Sequence, residues 1–163
     1  MAILPGQGYI YEKLVWGITG GITQAFVDGA FSGWALPATG SSRLYSRSIQ
    51  LTPEMYEHKS ELAVLVGYWV DVAETNDIRF HWDTEVRANG EAFSIDVTDH
   101  STINITSGDE DELLTLQFNL DDTYINGSDE WLSIILGRDG DDAIDDYTGN
   151  MIVSSAYLIR RNQ

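Results

Sequence analysis

The chain has 163 residues, no cysteine, 43% hydrophobic residues and a formal net charge of −17. That length suits one domain with a core large enough to fold by burial, and the composition excludes general disorder. The missing cysteines exclude disulfides, thiolate catalysis and Cys-ligated zinc or iron–sulfur centres. Residues 107–147 hold 13 acidic side chains against one base, Arg138; this field repels a phosphate backbone, so no nucleic-acid partner is expected. Residues 1–15 lack the basic start and apolar core of a secretory leader, and no apolar run approaches a membrane span of about 20 residues. Synthesis in a cytoplasm and no membrane partner are the expectations.

Taken in chain order, residues 1–42 carry eight of the 15 glycines and two of the three prolines. No period of 2 or 3.6 is sustained there, which predicts an irregular N-terminal arm with at most a short strand over 9–16. Its aromatic residues, Tyr9, Tyr11, Trp16, Phe26, Phe31 and Trp34, need apolar cover, and a partner interface is where they are expected to find it. Deleting such an arm should leave a folded domain that no longer attaches to its partner.

Residues 43–163 read as the domain itself. Short strands are expected at 43–51, 61–72, 77–86, 91–97, 102–106, 112–120, 130–138 and 150–161. Leu62, Val64, Val66, Tyr68, Val70 and Val72 alternate with Leu65 and Trp69, a pattern for a central strand covered on both faces. Ile78, Phe80, Trp82, Thr84 and Val86 alternate with Asp77, Arg79, His81, Asp83 and Glu85, so the next strand should have one wet face. Asn89-Gly90 predicts a tight hairpin between 77–86 and 91–97. Thr52-Pro53 predicts one helical turn over 53–58, with Thr52 as N-cap and Pro53 at the first helical position. Eight strands and one short helix define an all-β fold, a two-sheet antiparallel sandwich of jelly-roll-like form.

Near the C-terminus, Asp146 and Thr148 flank Tyr147 and can bond backbone amides, Gly149 admits positive φ, and the Tyr147 ring can cover a sandwich edge. The succession RSIQLTPEM, an apolar strand ending in Tyr68 and Trp69, IRFHWDTEV, the NGEAF turn, and a strand ending in Arg138 before DDAIDDYTGNMIVSSAYLI resembles a phage virion jelly-roll family over residues 43–160. The Asp145-Asp146-Tyr147-Thr148 turn places Thr after Tyr where that family has it before. The resemblance implies a non-enzymatic virion structural protein, made in the host cytoplasm: a capsid decoration or cement protein, a head fibre, or a tail or baseplate part, with decoration of the head taken first. It would attach to the major capsid protein or other virion subunits as a homotrimer. The alternative is a carbohydrate- or receptor-binding module of a phage tail or fibre.

No catalytic residues are assigned. Asp83 and Glu85 share a strand face with Glu91 across the turn, and paired carboxylates can hydrolyse glycosides, but Arg79 and His81 balance their charge as on any solvated face. There is no GxSxG elbow and no phosphate-binding loop. The DGDDAIDD run offers Asp139, Asp141, Asp142, Asp145 and Asp146 as a calcium ligand set. The EF-hand pattern stops after Asp139 and Asp141, with Ala143, Ile144 and Asn150 at later required positions, and a plain polar loop is the other reading. His58, His81 and His100 have no metal-ligand spacing among them. Trp82 belongs to the core by alternation, while Trp69 and Trp131 fit either a core or a sugar-stacking role.

Overall fold

In the computed structural model, the described residues are 2–4, 8–19, 22–27, 31–128 and 130–161; the side chains of residues 2–4, 8, 19, 26, 27 and 31 are outside the description. The strands are β1 (Ala2–Leu4), β2 (Gly8–Lys13), β3 (Trp16–Thr19), β4 (Thr23–Val27), β5 (Phe31–Leu36), β6 (Ser41–Ser46), β7 (Ile49–Gln50), β8 (Leu62–Val70), β9 (Asp77–Arg87), β10 (Val97–Asn104), β11 (Leu114–Asn119), β12 (Trp131–Asp139) and β13 (Met151–Arg160). One helix, α1 (Pro53–Glu57), lies between β7 and β8. The Thr52 side chain accepts from the Met55 amide at its start and Pro53 opens the first turn, as the local sequence requires.

The strands form two antiparallel sheets. In the first, β8 lies between β11 and β13, and the far side of β13 carries β2, leading to β1, and β5, leading to β4. The second runs β10-β9-β12-β6-β3, with β7 also on β12. This is the expected jelly-roll-like sandwich. All nine residues of β8 are buried, which fits a central strand with apolar side chains on both faces. Phe80 and Trp82 of β9 point inward, and Trp82 stacks on Phe118 of β11 with ring centroids 4.6 Å apart. These rings and Leu36, Leu44, Leu132, Leu136 and Leu158 belong to the core between the sheets.

Three expectations are corrected. Residues 1–42 are not an irregular arm: they supply β1–β5, and Leu14, Ile22 and Leu36 enter the core. Their strands are three to six residues long, too short for alternation to stand out, and two of them, β2 and β5, are joined to the sheet by β13 at the far end of the chain. The β9–β10 hairpin exists, but the partner strand starts at Val97, so nine residues form the loop. Gly90 does take φ of +91° in a turn at Asn89-Gly90; Arg87 and Asp96 close the loop farther out. Gly149 is needed for a close approach and not for positive φ: a Cβ there would lie 2.5 Å from an Asp71 carboxylate oxygen and 2.8 Å from the Tyr147 ring.

The Tyr147 corner is a fully occupied polar network inside the sandwich. The Tyr147 hydroxyl donates to Val72 O and accepts from Val72 N, both at 2.8 Å. Arg138 points inward from β12 with its side chain at 0% exposure, as is that of Asp145. Its guanidinium meets Asp145 at 2.5 and 2.8 Å and donates to the carbonyls of Tyr147 and Gly149. Asp146 accepts from Asp77 N. These groups keep the fold closed at this edge.

Burial pushes the Tyr147 and Tyr68 phenols up to about 12, with nearby Asp71 and Glu74, and Asp109, adding to the effect. A phenol whose folded value is raised binds its proton more tightly in the folded state, so stability is intact below about pH 10 and falls as pH rises from about 10 to 12. Denaturant midpoints measured across that window should drop while phenolate absorbance lags behind free tyrosine; a midpoint independent of pH there would contradict the burial assigned to these two rings.

Candidate functional site

Alternation on β9 and β12 sends one set of side chains into the core and the other to the outer face of the second sheet. Register places Arg87 beside Trp131, Glu85 beside Ser133, Asp83 beside Ile135 and His81 beside Gly137, with Tyr45 of β6 next to Ile135. The face thus mixes charged groups with aromatic rings open to solvent. Trp131 is 45% exposed, Tyr45 40%, and Phe93 of the β9–β10 loop 90%. Isolated exposed apolar residues need no explanation, but several large rings on one polar face are informative.

At one end of this face a groove of about 300 Å³ is lined by Ser48, Arg87, Asn89, Glu91, Phe93 and Trp131. Its loop wall is pinned. Arg87 forms an ion pair with Asp96 at 2.8 Å and donates to Ser94; Asp96 accepts from Val86 N, and Glu85 accepts from Ser94 N. Glu91 accepts from Ala88 N across the turn. Fixing the loop in advance lowers the ordering cost of binding a ligand between Phe93 and Trp131. A larger cavity of about 610 Å³ lies between β2 and the β7–α1 segment, lined by Tyr11, Lys13, Arg47, Ile49, Glu54 and Met55 among others; its one aromatic ring, Tyr11, is packed against the core.

At the other end of the same face, three strands bring titratable groups together. His81 Nε2 lies 2.9 Å from Asp83 Oδ2, and Thr98 donates to the other Asp83 oxygen at 2.6 Å. His81 Nδ1 lies 3.0 Å from His100 Nε2, which lies 2.9 Å from Asp139 Oδ2; His81 Nδ1 and Asp139 Oδ2 are 3.4 Å apart. Arg43 holds the second Asp139 oxygen at 2.5 Å and lies across Gly137, where a Cβ would come within 2.6 Å of it. Burial works to raise the Asp139 carboxyl, but the bonds and charge of Arg43, with His81 and His100, outweigh it and hold the group below its ordinary range.

The residues singled out in the sequence are distributed as follows. Of the aromatic set, Tyr11, Trp16 and Trp34 are partly buried and pack on the core, and Tyr9 is half-buried; the side chains of Phe26 and Phe31 lie outside the described ones. The five aspartates of the acidic run do not converge. Asp139 turns to the two histidines, Asp141 accepts from Gly40 N, Asp142 accepts from Ile144 N, Asp145 pairs with Arg138, and Asp146 accepts from Asp77 N. Asp83, Glu85 and Glu91 are each held by separate partners. Local spacing missed His81 and His100, which stand directly opposite one another in the β9–β10 register. Phe93 was hidden by the loop being read as a strand.

No family model and no curated protein matches the chain. Among solved structures, it is similar to a family 11 carbohydrate-binding module from Clostridium thermocellum in complex with a β-1,3-1,4-mixed-linked tetrasaccharide, at 15% identity and a TM-score of 0.48, covering 93% of this chain and 96% of that one. It is also similar to TmCBM61 in complex with β-1,4-galactotriose, at 9% identity and TM-score 0.43, covering 98% of each chain. A third likeness is to a xylan-binding domain from Paenibacillus barcinonensis, at 15% identity and TM-score 0.43, covering 96% and 98%.

Proposed function

We propose that this chain is a non-catalytic carbohydrate-binding module and that it binds through the outer face of the second sheet. The groove between Trp131 and Phe93 carries the proposal, because it sets exposed aromatic rings beside planar polar groups of Arg87, Asn89 and Glu91. A sugar ring has an apolar face that lies on an aromatic ring and hydroxyls at its rim that pair with amide, guanidinium and carboxylate groups; a few such polar groups in a mostly preformed site are enough to orient a ligand. The likeness to carbohydrate-binding modules, with TM-scores below 0.5, adds no weight to this. Asp83, Glu85, Glu91 and Asp139 are each engaged with backbone amides, a hydroxyl, histidines or arginines.

The setting follows the sequence resemblance: a glycan- or receptor-binding part of a phage tail or fibre. The head-decoration reading loses one of its supports, an irregular arm lying across neighbours, because residues 1–42 supply sheet strands.

Affinity electrophoresis and calorimetry against a panel of soluble polysaccharides test the proposal. At least one should bind the wild type, and Trp131→Ala should weaken that binding by about 30-fold or more, the effect of losing a central aromatic anchor of about 2 kcal/mol. The variant should keep its melting temperature, since Trp131 is 45% exposed. A panel with no binder, or a Trp131→Ala chain that binds as well as wild type, would overturn it.

A further inference from the structure

We propose that His81, His100 and Asp139 form a binding site for one divalent transition-metal ion of the zinc type, at the end of the second sheet away from the Trp131 groove. The three ligand atoms are His81 Nδ1, His100 Nε2 and Asp139 Oδ2, separated by 2.9, 3.0 and 3.4 Å. Among the described residues this is the one group of three or more His, Cys, Asp or Glu whose ligand atoms close to within bonding range of a common ion. A triangle with those edges has its corners about 1.8 Å from its centre, so an ion about 1 Å above the plane reaches all three at about 2.1 Å, the normal zinc–nitrogen and zinc–oxygen distance.

Asp83 is an acceptor already held by Thr98, so His81 donates to it from Nε2, and the neutral ring then presents a lone pair at Nδ1. Asp139 Oδ2 presents lone pairs as well. A His100 ring with its proton on Nδ1 presents a third lone pair at Nε2. A cation at the centre meets all three lone pairs at once.

The surroundings have the form of an outer shell. Asp83, 6% exposed, fixes the His81 tautomer and ring orientation as carboxylates do behind metal-bound histidines. Arg43 occupies the oxygen of Asp139 that points away from the histidines, leaving Oδ2 for the ion. The His100 side chain is 28% exposed and that of Asp139 18%, so a fourth position opens to solvent on the outer face. Two imidazoles and one carboxylate suit zinc, cobalt, nickel or copper better than calcium or magnesium, which take oxygen ligands only. The site lies on β9, β10 and β12 and would tie the three strands together. His81 and Arg87 are six positions apart on β9, so about 20 Å lies between this site and the groove, and the two are independent.

The test uses the full chain, stripped with a chelator and dialysed, with zinc and cobalt as the probes and no glycan present. Calorimetry should give one zinc per chain, cobalt should produce visible absorption of a tetrahedral site, and zinc should raise the melting temperature. His100→Ala and Asp139→Asn should each weaken binding by about tenfold or more, while Asp141→Asn, in the same acidic run but outside the triangle, should bind as wild type. Absence of stoichiometric binding, or equal weakening by all three substitutions as general acidity would produce, overturns the proposal. Polysaccharide binding by the same preparations is read separately, so the loss of one activity leaves the other measurable.

Discussion

A chain beginning at residue 43 is expected to lose cooperative unfolding altogether. The first 42 residues cover one whole side of β13: β5 pairs with Met151–Val153 and β2 with Tyr157–Arg160. Removing them would turn the most central closing strand into a bare edge and take Leu14, Ile22 and Leu36 out of the core. Each large aliphatic side chain lost from a core costs about 2–5 kcal/mol, and three of them with their strands exceed most of the 5–15 kcal/mol that holds a typical domain together. Urea unfolding followed by near-ultraviolet circular dichroism should show no sigmoidal transition for the truncated chain. A truncated chain that melts cooperatively, with the native tyrosine and tryptophan spectrum, would restore the picture of a detachable arm.

The second large effect is expected at Asp145. Arg138 is wholly buried, and Asp145 is its only carboxylate partner among the described residues; Asp145 also accepts from Arg79 N at 2.9 Å. Asp145→Ala therefore leaves a guanidinium without a counter-charge inside the sandwich, which costs about 3–5 kcal/mol in comparable cases. The cost should fall when Arg138→Met is added, because an apolar side chain of similar length needs no partner and the pair itself contributes little net stability. Equilibrium unfolding of the two single variants and the double variant separates these cases. An Asp145→Ala chain within about 1 kcal/mol of wild type would mean that the Tyr147 and Gly149 carbonyls alone are adequate company for the charge.

Local rules made part of this legible in advance. Thr52-Pro53 marked the start of α1, the apolar character of residues 62–70 marked a strand covered on both faces, and alternation over 77–86 put Trp82 in the core and His81 and Asp83 on the opposite face, which is not wet there as expected: both are buried, 6% exposed each. Those signals arise within a single element. Two of the strands of residues 1–42, β2 and β5, are set by pairing with β13 more than 100 positions away, which no window along the chain contains. The His81–His100–Asp139 triangle is hidden for the same reason: its members sit on β9, β10 and β12 and meet only through register. The acidic run pointed to Asp139 but not to its partners, since its neighbours serve Arg138 and backbone amides instead. Trp131 was open to either role because Trp131 and Ile135 put apolar residues on the same face as Ser133, which blurs the alternation; in the sheet Leu132, Ile134 and Leu136 turn inward and Trp131 is left exposed.

The most direct test of the binding face is an amide and indole chemical-shift map of the full chain titrated with an oligosaccharide cut from whichever polysaccharide it binds. The account predicts shifts confined to Ser48, residues 87–96 and the Trp131 indole. Shifts gathered instead around Tyr11 and Met55, or on the strands of the first sheet, would contradict it.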